Sequence, residues 1–208
     1  GAMDLGQLLL VDVPLGAVQA ARNRVLNHVA LREGSPRPAA RPATARRRVG
    51  LLCRTFEKGP DSEAVVAFFR QFDPARFEVF AYSVCFLDRV VSRDAAFDAM
   101  FDAAIPHRRD LPADPAGIRA RILADDLDVF LFANATTYGL QPLDIALYHR
   151  VAPLQLVLNS HVPMPMGYPS YDAVLTGLSD DPAQEVDQAE FTERLIRVPG
   201  PVISYLTT

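Results

Sequence analysis

The chain has 208 residues, 50% of them hydrophobic, and a formal net charge of -4. That length supports one substantial core, and the slightly acidic balance excludes the broad basic footprint of a nucleic-acid binder. No uninterrupted apolar stretch approaches the roughly twenty residues needed to span a membrane.

Gly1-Ala2-Met3 reads as the remnant of tag removal and is set aside, leaving a helical segment over residues 4–32. Within Leu5–Leu31, Leu8, Leu9, Val13, Leu15, Val18, Val25, Leu26 and Val29 recur at three- and four-residue spacing. Pro14 marks a break or a helix start. Residues 33–47, with Gly34, Pro36, Pro38 and Pro42 among alanines and arginines, have the composition of a linker. The cluster Arg46-Arg47-Arg48 at its end is expected to be a solvated strand entrance, with a phosphate or acidic-partner site as the alternative.

Residues 48–208 change to an alternation of strands and helices. Val49–Cys53 predicts a buried strand. Ser62–Phe72 predicts a helix with Pro60 and Asp61 at its start. Phe77–Phe86 is a second strand, Ala95–Ala103 a helix, Ala104-Ile105-Pro106 a short strand and Pro115–Asp125 a helix. Leu127–Phe132 is the strongest strand; Leu143–His149 is helical, and Ala152–Leu158 and Ala173–Leu175 are further strands. Strand and helix alternating at roughly thirty-residue spacing predict βαβ crossovers. The expected fold is therefore a three-layer α/β, Rossmann-like domain with a mostly parallel sheet. Such sheets bind ligands at the carboxyl ends of their strands. Those ends are the loops Arg54–Pro60, Ala133–Gly139 and Asn159–Tyr168.

Several common α/β chemistries are excluded. The turn after the first strand, Cys-Arg-Thr-Phe-Glu-Lys-Gly-Pro, has a single glycine, so neither the dinucleotide fingerprint nor a P-loop is present. Arg54 and Thr55 stand where a phosphoreceiver needs acidic residues, and no Gly-x-Ser-x-Gly elbow occurs. Cys53 and Cys85 lie in apolar runs and read as reduced core thiols, with a disulfide or metal pair as the alternative. They have no histidines at ligand spacing, so no metal is expected, and a reducing, cytoplasmic compartment fits.

Three stretches together resemble one family. The first is Arg48-Val49-Gly50-Leu51-Leu52 followed by Phe77-Glu78-Val79-Phe80-Ala81-Tyr82. The second runs from Ile118 through Asp125-Asp126-Leu127-Asp128-Val129 to Phe132 and Asn134-Ala135-Thr136-Thr137. The third is Arg150-Val151-Ala152-Pro153-Leu154-Gln155-Leu156, a histidine-containing loop, Tyr171-Asp172, and Phe191-Thr192-Glu193-Arg194-Leu195 leading to Pro199-Gly200. The order is similar to the first Rossmann half of the O-GlcNAc transferase family of glycosyltransferases, and more so to its bacterial adhesin-glycosylating members. Arg-x-Ala-Pro-x-Gln in combination with Glu-Arg-Leu is its most specific part.

The resemblance implies one half of a GT-B architecture: an acceptor-side domain that faces a nucleotide-binding domain across a cleft. It implies transfer of a sugar from a UDP-sugar to a polypeptide acceptor, with no cofactor in this chain. The UDP-sugar and a lysine on its diphosphate belong to a C-terminal half of the same protein, expected beyond Thr208, and the N-terminal helix to the end of a preceding helical domain. His161, in Asn159-Ser160-His161-Val162-Pro163, matches the histidine of the bacterial Gly-His-Pro loop. An imidazole there suits general acid/base work, the alternative being an ordinary loop histidine. The flanks depart from the family, with Ser160 and Val162 in place of Gly and Pro. Gly59 stands where animal members carry a cleft histidine, which leaves Glu57 and Lys58 as substitutes or as plain surface residues. Asn134, Thr136, Thr137 and Tyr138 offer hydrogen bonds to an acceptor or sugar, or serve turns and caps. Met164 and Met166 give an apolar loop that contacts an acceptor or simply packs, Asp172 is expected to be structural, and His28 and His107 to be surface or core residues. Two other readings stay open: a non-catalytic binding module that keeps the fold, and a transferase acting on a small molecule or glycan.

Overall fold

A computed structural model describes residues 15–30, 38–42, 46–53, 55–83, 94–132, 142–158, 167–177 and 188–199. Helix α1 spans Leu15–Ala30 and is followed by β1 (Arg47–Cys53), α2 (Pro60–Phe69), β2 (Phe77–Ser83), α3 (Ala95–Ala104) and β3 (His107–Asp110). Then come α4 (Pro115–Leu123), β4 (Val129–Phe132), α5 (Pro142–Leu147), β5 (Leu154–Leu158), β6 (Ala173–Gly177) and β7 (Arg194–Val198). The strands form one sheet in the order β3-β2-β1-β4-β5-β6-β7. Every pairing is parallel. This is the α/β, Rossmann-like fold that the alternation predicts. The order reverses between β1 and β4, which makes the carboxyl ends of those two strands the topological switch point.

Side-chain alternation along the strands builds a core on each face of the sheet. Val49, Leu51 and Cys53 of β1 join Val79, Ala81, Leu131 and Leu156 against Val65, Val66 and Phe69 of α2 and Phe97 and Phe101 of α3. Leu52 joins Tyr82, Phe130, Phe132 and Val157 against Ile118 and Ile122 of α4, Leu143 and Leu147 of α5, and Leu26 of α1. Gly50 lets Leu127 close on β1: a Cβ built there would meet Leu127 Cδ1 at 2.3 Å. Cys53 is a buried thiol whose Sγ lies 3.5 Å from the Tyr82 carbonyl oxygen; Cys85 lies outside the described residues.

Proline and aspartate set the helix starts. Pro60 opens α2 and Pro115 opens α4, where a missing N–H costs nothing. Asp94 caps α3 by accepting from the Ala96 and Phe97 amides, and Asp114 caps α4 by accepting from Gly117 N.

One expected strand is displaced. Ala104 ends α3 and Ile105, fully buried, caps it, so Ala104-Ile105-Pro106 is not a strand; the strand is the next stretch, His107–Asp110. Pro106 has no N–H for a ladder. The charged sequence is stable as a strand because β3 is an edge, paired only with β2, and Arg108 is held by Asp98 and Asp102. The opposite edge, β7, carries the exposed Arg194 and Arg197, and the sequence reading places no strand there.

The amino edge of the sheet is an ion-pair network. Asp128 accepts from Arg47 Nη1 at 3.1 Å, Arg41 Nη1 at 3.2 Å and the Arg48 amide at 2.8 Å. Glu78 accepts from Arg48 Nε at 3.0 Å and lies 3.4 Å from Arg46 and 3.1 Å from His107 Nε2. His107 stacks on Phe80. Each guanidinium of Arg46-Arg47-Arg48 thus has a carboxylate partner, and the cluster is a strand entrance rather than an anion site. Burial pushes the Glu78 carboxyl up, but the Arg48 hydrogen bond and the charges of Arg48, Arg46 and His107 together hold it below its ordinary value.

Candidate functional site at the carboxyl edge of the sheet

The loop from β1 to α2 is described from Thr55 onward and lies on one side of the switch point. Phe56 anchors it from below, packing edge-on against Phe101 with ring centroids 5.5 Å apart. Thr55 Oγ1 accepts from the Glu57 amide at 3.1 Å. The buried Ser62 hydroxyl faces two carbonyls, those of Glu57 and, at 3.0 Å, Gly59. The backbone that carries Glu57 and Lys58 is therefore fixed by short-range polar contacts on top of an aromatic anchor.

Lys58 is committed to a partner. Its Nζ donates to Asp94 Oδ2 at 2.8 Å, while Asp94 Oδ1 caps α3. The pair bridges the β1–α2 loop to the start of α3. The hydrogen bond to Asp94 raises the Lys58 amine above its ordinary value, and the same bond lowers the Asp94 carboxyl. Both groups are solvent-exposed, so the pair orients the loop more than it stabilises the fold. Asp94 was not singled out from sequence; an aspartate immediately before the Ala95 helix is the capping signal that could have found it.

Gly59 has φ 178° and ψ 171°, extended backbone open to any residue. A Cβ built there meets nothing within 4 Å. The position therefore has room for the imidazole that the resemblance would put there, and its glycine is not demanded by packing.

The remaining candidates follow neighbouring strands. Asn134, Thr136, Thr137 and Tyr138 follow β4, across the switch point from Glu57 and Lys58, and His161 follows β5. All five lie outside the described residues, as do Met164 and Met166. The topology brings the strands that lead to them side by side, β1 beside β4 and β4 beside β5. Among the described residues no group of His, Cys, Asp or Glu is arranged to hold a metal ion. No helix among them is long and apolar enough to cross a membrane.

The motifs behind the resemblance do different work. Arg150 grips Asp172 bidentately, Nη1 to Oδ2 at 2.7 Å and Nη2 to Oδ1 at 2.8 Å, and Nη1 also reaches the Pro153 carbonyl at 3.1 Å. Asp172 Oδ2 accepts from the Gln155 amide at 2.9 Å, and Gln155 Oε1 accepts from the amides of Val151 and Ala152. Arg-x-Ala-Pro-x-Gln is thus a clasp that aligns the starts of β5 and β6, on the amino edge and away from the site. Glu193 of Glu-Arg-Leu is buried, and its Oε1 accepts from the Gly167 amide at 2.6 Å. Asp172 has the structural role expected of it.

No protein-family model and no curated protein matches the sequence. Among solved structures, a mutant of the O-GlcNAc transferase of Thermobaculum terrenum matches with a TM-score of 0.62 and 21% sequence identity, over 89% of this chain. The chain spans 35% of the length of that protein. At this identity the likeness is one of fold: the chain has the glycosyltransferase-like, Rossmann-type α/β fold found in part of that enzyme.

Proposed function

We propose that this chain is the acceptor-side domain of a cytoplasmic, nucleotide-sugar-dependent protein glycosyltransferase. A separate nucleotide-binding half of the same protein holds the UDP-sugar. The observation that carries this reading is the fold likeness to an O-GlcNAc transferase over 89% of the chain, matched to 35% of that protein. The spacing of the Arg-x-Ala-Pro-x-Gln and Glu-Arg-Leu motifs supports the same assignment. In this reading the loops after β1, β4 and β5 face the cleft: His161 exchanges a proton with the acceptor or a sugar hydroxyl. Asn134, Thr136, Thr137 and Tyr138 bind the acceptor, and Glu57 and Lys58 line the rim. The polypeptide acceptor approaches this edge, and the departing diphosphate is stabilised by cations and dipoles of the other half.

A second reading has an observation in its favour. Lys58 is already paired with Asp94, and Gly59 brings no side chain to the rim, so the β1–α2 loop suits a binding module without catalysis. Calorimetric titration of UDP separates the two. The transferase reading expects no binding to this chain alone and binding to the protein extended through its second half. Binding to this chain alone would refute the division of labour, and no binding to either would favour the adaptor.

A further inference from the structure

Helix α1 meets the α/β body with a mostly polar face. Among its described side chains the buried ones are Gln19, Arg22 and Leu26, two polar and one apolar, whereas Val25 is 46% exposed. Gln19, Arg22 and Leu26 recur at three- and four-residue spacing, with Asn23 and Asn27 on the adjoining row. The helices packed on the sheet bury apolar pairs instead, Phe97 and Phe101 in α3 and Ile118 and Ile122 in α4.

The polar groups have specific seats. The guanidinium carbon of Arg22, which is fully buried, lies 4.4 Å from the centroid of the Tyr168 ring. The Tyr168 hydroxyl donates to Asp144 Oδ1 of α5 at 2.7 Å. Burial, followed by the charge of Asp144, raises that hydroxyl well above its ordinary value, so it stays a donor. A phenol that donates to a carboxylate has a more electron-rich ring, and a cation on its face is held more firmly where water is excluded. Asn23 Nδ2 donates to the Gly167 carbonyl, and Asn27 Oδ1 accepts from the Tyr148 hydroxyl at 2.5 Å. Gly167, left-handed at φ +66°, presents bare backbone to the helix: a Cβ there would lie 3.2 Å from Gln19 Cδ.

Polar contacts of this kind are exchanged for contacts with water when an element lifts off, so they specify a position more than they make it permanent. We propose that α1 is a releasable latch: it undocks from α5 and Tyr168 as one unit while the sheet stays folded, and the seating of Arg22 on Tyr168 sets how often it does so. Release uncovers the Tyr168 ring, the Tyr148 hydroxyl and the Gly167 carbonyl. The chain beyond the helix stays attached, because Arg41 lies 3.3 Å from Asp126 and 3.2 Å from Asp128 at the amino edge. A released α1 is therefore tethered close to its seat and rejoins it.

The test is native-state hydrogen exchange of the full chain in low denaturant, read at the amides of Asn23–Asn27 in α1 and of Leu51 and Leu131 in β1 and β4. Wild type is compared with Arg22→Met, which keeps the length without the charge, and with Arg24→Met, which removes the same charge from an exposed position of the same helix. In the wild type the α1 amides are expected to exchange together, about a hundredfold or more faster than those of the two strands. Arg22→Met is expected to speed α1 by about a further tenfold and to leave the strands unchanged, because the ring bonded to Asp144 loses its cation. Arg24→Met is expected to change neither. Exchange of α1 and the strands in one common step would overturn the proposal, as would α1 rates that fall steadily from the helix end inward, which is fraying. So would an Arg22→Met chain whose α1 exchanges no faster than in the wild type or in Arg24→Met. Should Arg22→Met fail to fold, Arg22→Lys, which keeps the charge but not the flat guanidinium, is read the same way. No turnover is measured, so the result stands apart from the transferase assignment.

Discussion

Replacing Asp172 by alanine tests whether the most specific motif of the chain is architectural. The carboxylate takes two bonds from Arg150 and one from the Gln155 amide, and the side chains of the pair are 15% and 30% exposed for Arg150 and Asp172. A hydrogen bond to a charged group is worth about 1.5–3 kcal/mol, and exposure places these toward the lower end. Truncation also leaves the Arg150 guanidinium without its partner and the Gln155 amide without its acceptor. A loss of about 3 kcal/mol follows, or a fall in melting temperature of roughly 6–12 °C for a chain of this size. Urea unfolding followed by far-ultraviolet circular dichroism measures it. The reasoning fails if the loss is below about 1 kcal/mol, because the clasp would then contribute nothing beyond an ordinary surface pair.

Gly50→Ala places a methyl against Leu127 and Tyr82, both buried, and should cost about 1–3 kcal/mol by overpacking; denaturant melts check it. Gly59→His should change stability by less than about 0.5 kcal/mol, because the position is open and extended; a large loss in the same melts would contradict the open rim. Glu78→Gln should destabilise by about 1–2 kcal/mol at neutral pH, where the folded carboxylate is ionised and paired. The folded carboxyl sits below its ordinary value, so the difference between wild type and variant should shrink as pH falls through the folded value and vanish below it. A difference that persists in strong acid, in melts from pH 7 to pH 2, would show that packing and not charge makes the contribution.

The fold was legible where burial dictates the sequence. Runs such as Leu51-Leu52-Cys53 and Phe130-Leu131-Phe132 are buried on both faces of a parallel sheet, and continuous apolar character is the direct consequence. Edges escaped the same logic. His107–Asp110 is polar because only one flank is paired, and the hydrophobic Ile105 beside it belongs to a helix cap. The buried Arg22 was invisible in another way: on a helix of mixed character an arginine reads as solvated, yet it is fully buried with its guanidinium over the Tyr168 ring. Strand order fixes the switch point beside which the loops after β1, β4 and β5 fall, but Asn134, Thr136, Thr137, Tyr138 and His161 lie outside the described residues. Lys58 belongs to an ion pair whose partner is distant in sequence, and Gly59 proved free of structural demand.

The most direct test of the proposed function is sugar transfer by the protein carrying both halves, with a panel of radiolabelled UDP-sugars and an unfolded polypeptide acceptor, compared with its His161→Ala variant. The account predicts transfer by the wild type and a loss of about a hundredfold or more in the variant at unchanged stability. Undiminished transfer by the variant would remove His161 from the chemistry, and no transfer by the wild type with any donor would contradict the transferase assignment itself.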